Sequence, residues 1–247
     1  MTKEAIFETL LATNPSLHGS SSRQWQLGKD VMRWLFTNVI SGQRTLETGC
    51  GYSTIVFALK GARHTVISPV IEEHQRVRQW CDVNGIDLSN LDFKVARSEE
   101  VLPTLALEPL DLVLIDGWHA FPAPLLDWFF TAKKLVVDGH VIVDDTHIKA
   151  VRILRDFLEA EQGRWELVAR FKQTDIFRKI SRDVFIGECH TQPWGAKPYI
   201  SIQDRFGSLR LGSLFRTKLV ALLKLVPPLY SAFKAARYWI STKDQER

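Results

Sequence analysis

The chain has 247 residues, 45% hydrophobic and 24% charged, which supports one large buried core and excludes a disordered, collagen-like or purely coiled-coil chain. Three widely spaced cysteines, Cys50, Cys81 and Cys189, form no C-x-x-C pair, which argues against a zinc knuckle or disulfide framework and fits a reducing, cytoplasmic setting. The net charge of +4 is uneven: residues 205–247 hold nine Lys/Arg against Asp244 and Glu246, a net of +7 that leaves −3 on residues 1–204 and argues against nucleic acid as the partner of the domain.

Residues 1–43 read as a helical cap, with a polar break at Ser20–Arg23 and a helix over Leu27–Ile40. By fold-level analogy such helices cover a cofactor or acceptor pocket, and Trp25 is the candidate lining residue. The N-terminal apolar stretch carries Glu4 and Glu8 and is too short for a secretory signal. No uncharged apolar run of about 18 residues occurs, so no bilayer span is expected.

From Arg44 onward, short β-rich runs alternate with helical patterns. Strands are expected over Arg44–Glu47, His64–Ser68, Leu91–Val95, Leu110–Asp116 and His140–Asp144, with helices over Ser53–Lys60, Ile71–Asn84, Pro124–Lys134 and Ile148–Ala160. Gly85 stands where a helix C-cap glycine belongs. Trp165–Lys172 and Asp175–Lys179 are expected to pair as closing antiparallel strands. Repeated β-α-β units imply an α/β, doubly wound, mostly parallel Rossmann-like sheet over residues 44–204. Ligands of such sheets bind beyond the carboxyl ends of the strands, where strand order reverses.

Three strand ends carry chemistry. The first runs into Glu47-Thr48-Gly49-Cys50-Gly51-Tyr52-Ser53-Thr54, where two glycines permit a tight turn and close backbone approach to a ligand. The helix that follows offers unpaired N–H groups, and Glu47 is placed to accept from a ligand ammonium. A dinucleotide fingerprint would need a third glycine where Thr54 stands and an acid at the end of the second strand, where Ser68-Pro69 stands; both count against NAD(P). The fourth strand ends in Asp116-Gly117-Trp118-His119 and the fifth in Asp144-Asp145-Thr146-His147. Adjacent strands lie about 4.8 Å apart, so carboxylates from both can share a divalent ion such as Mg²⁺. The alternative is that Asp145 only N-caps the next helix. His119 is either a general base or a solvated loop histidine. Trp118 either stacks on a heterocycle or plugs the sheet edge, and a structural reading is preferred for His140 and His147.

These residues resemble a known family. From about 44 to 145 the chain is similar to class I S-adenosylmethionine-dependent methyltransferases, and within them to the O-methyltransferase branch that includes catechol O-methyltransferase. The first motif of that branch, E-x-G-…-G-Y-S, is matched by Glu47, Gly49, Gly51, Tyr52 and Ser53 in a loop two residues shorter. The resemblance implies S-adenosylmethionine as cofactor, with Glu47 and the glycine loop at its methionine end and Ser53 on its carboxylate. Ser98 falls at the adenine-contacting serine, and Asp116, Gly117 and Trp118 line the cofactor. Asp116, Asp144 and Asp145 match the metal positions, with Asp145 in place of an asparagine, and His119 stands where the branch has its catalytic lysine. Ser68 replaces the acid that usually grips the ribose hydroxyls; losing a charged hydrogen bond costs about 1.5–3 kcal/mol, and Glu72 or Glu73 is placed to compensate.

The implied function is O-methylation of a hydroxyl on a small molecule or sugar, metal-assisted through Asp116, Asp144 and Asp145, with His119 and Asp116 catalytic. The competing readings are a non-catalytic cofactor-binding or membrane-associated scaffold and an NAD(P)-dependent oxidoreductase. Residues 205–247 form a basic tail whose segment 209–226 wheels into one broad apolar face, broken by Pro227-Pro228. Over 208–240 it is read as packing on the domain, pairing with a second copy, or resting on the inner face of an anionic membrane near a glycan acceptor.

Overall fold

The buried apolar run Leu110–Ile115 forms β4, the middle of a seven-stranded sheet ordered β3-β2-β1-β4-β5-β7-β6. A computed structural model provides this description for residues 1–19, 27–184 and 192–195. The chain divides into two compact units, Met1–Ala196 and Lys197–Arg247, and every described residue lies in the first. The expectations for Trp25 and for the basic tail therefore fall outside the described residues.

In chain order the elements are α1 (Lys3–Thr13), α2 (Lys29–Asn38), β1 (Arg44–Thr48), α3 (Tyr52–Lys60), β2 (Arg63–Ile67), α4 (Ile71–Val83) and β3 (Leu91–Lys94). They continue as α5 (Ser98–Val101), β4, α6 (Ala123–Ala132), β5 (Leu135–Val143), α7 (Lys149–Ala160), β6 (Trp165–Arg170) and β7 (Asp175–Lys179). β1 to β5 run parallel, and β7 pairs antiparallel with both β5 and β6. The expected α/β class and the closing antiparallel pair are what the chain forms.

Two apolar layers hold the sheet. On one face Phe7 and Leu10 of α1, Leu35 of α2, Ile55 and Val56 of α3 and Val77 of α4 form one cluster. The N-terminal helices thus share the sheet's core. On the other face Trp128 of α6 and Val151, Leu154 and Leu158 of α7 pack with Trp165 and Phe177. In α7 the spacing of Val151, Leu154 and Leu158 sets one face against the sheet, and burying each such side chain contributes about 1.5–3 kcal/mol.

Two elements differ from the sequence reading. β5 begins at Leu135, five residues before the expected start, because Asp138 takes a left-handed backbone (φ 67°) and the β4–β5 register slips between Leu110 and Leu112. Polar Asp138-Gly139 in mid-strand breaks the alternation that marks a strand. The single turn α5 has no sequence signal, since four residues are too few to show helical periodicity. Among the described residues no helix is long and apolar enough to cross a membrane.

Candidate cofactor cleft and active site

Strand order reverses between β1 and β4, and there a cleft of about 670 Å³ opens beyond their carboxyl ends. The glycine loop forms its floor. Gly49 has φ 106°, and a Cβ there would come 2.5 Å from the Asp116 carbonyl oxygen, so only glycine lets the β1 loop pass the end of β4. The same close approach recurs from the other side, where a Cβ on Gly117 would sit 3.0 Å from Thr48 Cβ. Gly49, Gly51, Tyr52, Ser53, Ser68, Ser98, Asp116, Gly117, Trp118 and His119 all line the cleft, as do Asp144 and Asp145.

Glu47 is the exception among the expected cofactor residues. It is buried, and its carboxylate accepts from the hydroxyls of Ser53 and Thr54 and lies 3.1 Å from His64 Nε2. Thr54 Oγ1 in turn accepts from Gly51 N–H at 2.9 Å. Glu47 therefore turns inward under the glycine loop and braces the start of α3; the expected direct contact with a ligand is replaced by a supporting role. The physical reason is local: two hydroxyls one turn into α3 and a buried imidazole saturate the carboxylate.

A carboxylate from the first turn of α4 reaches the end of β2. Ser68 Oγ donates to Glu73 Oε2 at 3.1 Å, and Glu73 Oε1 pairs at 2.8 Å with His18 Nδ1. Glu73 lines the cleft and Glu72 does not. His18 also lines it, and its Nε2 lies 3.0 Å from the position of a Cβ on Gly51. Sequence reasoning missed His18, because nothing in a turn after α1 signals that it will fold back onto a loop 33 residues later. Tyr52 ties the same segment down: its hydroxyl donates to the Pro15 carbonyl and to Asn14 Oδ1.

At the opposite end, the β4 and β5 termini bring three donors together. His119 Nε2 lies 3.6 Å from Asp116 Oδ1, and His119 Nδ1 lies 3.4 Å from Asp145 Oδ2. Burial raises the Asp116 pKa, with the Asp145 charge adding to it. For His119 burial alone lowers the pKa, but Asp116 and the neighbouring carboxylates outweigh it, and the net shift is upward. Asp145 holds a left-handed backbone (φ 55°) and does not N-cap α7, whose cap residue is Ile148. Its Oδ1 accepts from Gln173 Nε2 at 3.3 Å.

Asp144 departs from its expected role as a metal ligand. Its carboxylate is buried and accepts from the Thr174 hydroxyl of the β6–β7 turn; burial, then the charge of Asp116, pushes its pKa up to about 8. That hydrogen bond turns Asp144 toward the β6–β7 turn, and it is not among the donors that group at this end. The grouped donors are Asp116, His119 and Asp145, one ligand atom from each lying within 4.8 Å of the others.

The remaining aromatic and histidine expectations divide cleanly. Trp118 does not plug the sheet edge: it stands 54% exposed at the cleft mouth, with the Arg97 guanidinium 4.9 Å from its ring. His140 packs edge-on to Trp34 and is structural, its pKa lowered by burial. His147, expected to be structural, instead lines the cleft 3.6 Å from Asp145 Oδ1.

Comparison with known proteins agrees with this arrangement. Residues 46–146 match the family described as "Methyltransferase domain". No curated protein matches the chain. Among solved structures, cofactor-bound Rv0187 from MTB is 17% identical, with a TM-score of 0.56 over 73% of this chain and 91% of that one. An rRNA-methylase assignment from Clostridium thermocellum has 14% identity and a TM-score of 0.52 over 63% and 96% of the two chains. The SAH-bound Podospora anserina methyltransferase PaMTH1 has 16% identity and a TM-score of 0.50 over 72% and 88%. At these identities the structural likeness establishes the fold, and the family match covers most of the cleft-lining residues, with His18, Leu27, His147, Ile148 and Gln173 outside it. Residues 46–146 thus carry a methyltransferase domain, on the fold that these cofactor-bound methyltransferases share.

Proposed function

We propose that the chain transfers the methyl group of S-adenosylmethionine to a hydroxyl of a small molecule or glycan. The observation that carries this reading is the Asp116–His119–Asp145 group at the far end of the same cleft that begins at the glycine loop. The cofactor's methionine end is assigned to Gly49, Gly51 and the α3 N-terminus, where backbone N–H groups favour a carboxylate. Its ribose is assigned to Glu73 and Ser68, and its adenine to Ser98, Gly117 and Trp118. Glu73, braced by His18, supplies the acid that β2 itself lacks, which weakens the case for a non-catalytic relic.

The chemistry asks little covalent work of the protein. As the hydroxyl oxygen bonds to the methyl carbon, the carbon–sulfur bond breaks and its electron pair stays on sulfur, leaving a neutral thioether. The protein must align the two partners and accept the hydroxyl proton, and alignment alone is worth several powers of ten in rate. The Asp116–His119–Asp145 group is the proton-accepting and charge-compensating element at that point.

The test is calorimetric titration of the full chain with S-adenosylhomocysteine, with NADH as control, followed by turnover against hydroxyl-bearing and amine-bearing acceptors. Micromolar binding of S-adenosylhomocysteine alone and methylation confined to hydroxyl acceptors are expected. Methylation of amines or RNA in preference to hydroxyls would overturn the O-methylation reading.

A further inference from the structure

We infer that Asp127 of α6 is a positioning residue for base selection: it turns the Ser98 hydroxyl into a hydrogen-bond acceptor for the exocyclic amine of adenine. This role rests on the reading above that the cleft holds S-adenosylmethionine with its adenine at Ser98. It adds the residue behind Ser98 and the base that the pair selects.

Three segments distant in the chain meet on this wall of the cleft. Thr48 ends β1, Ser98 opens α5, and Asp127 lies in the middle of α6. Asp127 is 1% exposed and does not line the cleft, but Ser98 and Thr48, whose hydroxyls face it, both do. Thr48 Oγ1 also lies 3.1 Å from the position of a Cβ on Gly117, which borders the same part of the cleft. The two hydroxyls offset part of the cost of the buried charge, yet neither Asp127 oxygen completes a hydrogen bond among the described residues. Thr48 Oγ1 completes none either. A carboxyl buried in this way is a cost to the fold, and α6 packs through Trp128 and Ala132 without it.

Hydrogen-bond chemistry gives the carboxyl a task. Burial pushes the Asp127 pKa up to about 6, so above pH 7 it is mainly a carboxylate, which accepts hydrogen bonds and donates none. A hydroxyl has one proton. Once Ser98 gives that proton to Asp127, its oxygen can only accept on the side that faces the cleft. Adenine offers the matching donor in its exocyclic amine. Hypoxanthine carries a carbonyl oxygen at that place, which would set two acceptors against each other. A site built to bond an N–H rejects the analogue that lacks it.

The experiment titrates the full chain at about pH 8, where Asp127 is ionised, and reads binding by calorimetry. The ligands are S-adenosylhomocysteine and S-inosylhomocysteine, which differ in that one group of the base. The adenine ligand is expected to bind about thirtyfold more tightly. Asp127→Asn keeps the volume, and its amide N–H₂ lets Ser98 donate into the cleft, so the preference should fall to about threefold or less. Asp127→Ala, which has no side-chain acceptor, should lose the preference as well. Ser98→Ala should lose it to the same extent, and adding Asp127→Asn should change the ratio no further, because Asp127 acts through Ser98. Thermal melting of each variant reads stability separately. A purely structural carboxyl would weaken both ligands alike and leave their ratio unchanged.

Equal binding of the two ligands by the wild type would overturn the inference and leave the cofactor reading standing. So would a folded Asp127→Asn or Asp127→Ala variant that keeps the wild-type preference. Binding of neither ligand would overturn the cofactor reading, and the role of Asp127 with it.

Discussion

The two ends of the cleft are built on opposite principles. Beneath the glycine loop, Glu47 is closed off by Ser53, Thr54 and His64, and beside it Glu73 is held by Ser68 and His18. At the β4 and β5 ends, His119 lies between two carboxylates, 3.6 Å from Asp116 and 3.4 Å from Asp145. The first end is satisfied within the protein; the second keeps one buried nitrogen, His119 Nε2, without a completed hydrogen bond. A buried polar group left without a partner costs about 1–3 kcal/mol, so such a reserve persists where a ligand or a proton completes it. Stability should therefore concentrate at the glycine-loop end and chemistry at the other.

Substitutions can break that division. The largest effect is expected from Asp116→Ala or Asp145→Ala, which should each lower the methylation rate by about a thousandfold. Their dissociation constants for S-adenosylhomocysteine, read by calorimetry, should change by no more than about threefold. Equal losses in rate and affinity would show that both ends serve the cofactor.

Glu47→Ala should lower unfolding free energy by about 3 kcal/mol in denaturant titration, because it strands two hydroxyls and a buried histidine. If Glu47 instead touched the cofactor directly, affinity would fall with stability unchanged. A smaller effect is expected from Glu73→Gln, which should raise the dissociation constant for S-adenosylhomocysteine about tenfold, the value of one charged hydrogen bond. Retention of wild-type affinity would remove Glu73 from the ribose site.

The smallest effect concerns Asp127 of α6, which lies behind the cleft. It is 1% exposed, and burial pushes its pKa up to about 6, with the Ser98 and Thr48 hydroxyls offsetting part of that shift. Its folded-state pKa lies above the unfolded value of about 3.9, so the folded chain holds a proton that the unfolded chain releases. Its contribution to stability is full below pH 4 and is lost as pH rises to about 6. Asp127→Asn should flatten that part of the profile and raise stability at pH 7 by roughly 1–2 kcal/mol. Melting curves from pH 4 to pH 8 would read it; a variant that is less stable at pH 7 would mean that the carboxylate has a partner there.

Much of the sheet was legible because parallel strands buried on both faces leave continuous apolar runs, as in Leu110–Ile115. The glycine loop was legible for a related reason: a backbone that passes 2.5 Å from where a Cβ would stand admits no other residue at Gly49. The resemblance to methyltransferases rests on these local features and on the chemistry at the strand ends. β5 was read short because Asp138-Gly139 interrupts its alternation, a break that only pairing with β4 repairs.

The sequence by itself thus determined the α/β class, the strand ends at which a candidate site is expected, and the residue types found there. Tertiary structure decided how those residues are partnered. It turned Glu47 away from the cleft, brought His18 and Glu73 into it, withdrew Asp144 onto Thr174 and admitted His119 beside Asp116 and Asp145. The reason is that strand ends and glycine turns are encoded over a few adjacent residues. Which hydroxyl or imidazole occupies a carboxylate depends on segments such as α1 and the β6–β7 turn, distant in the chain, that meet only after the sheet has closed.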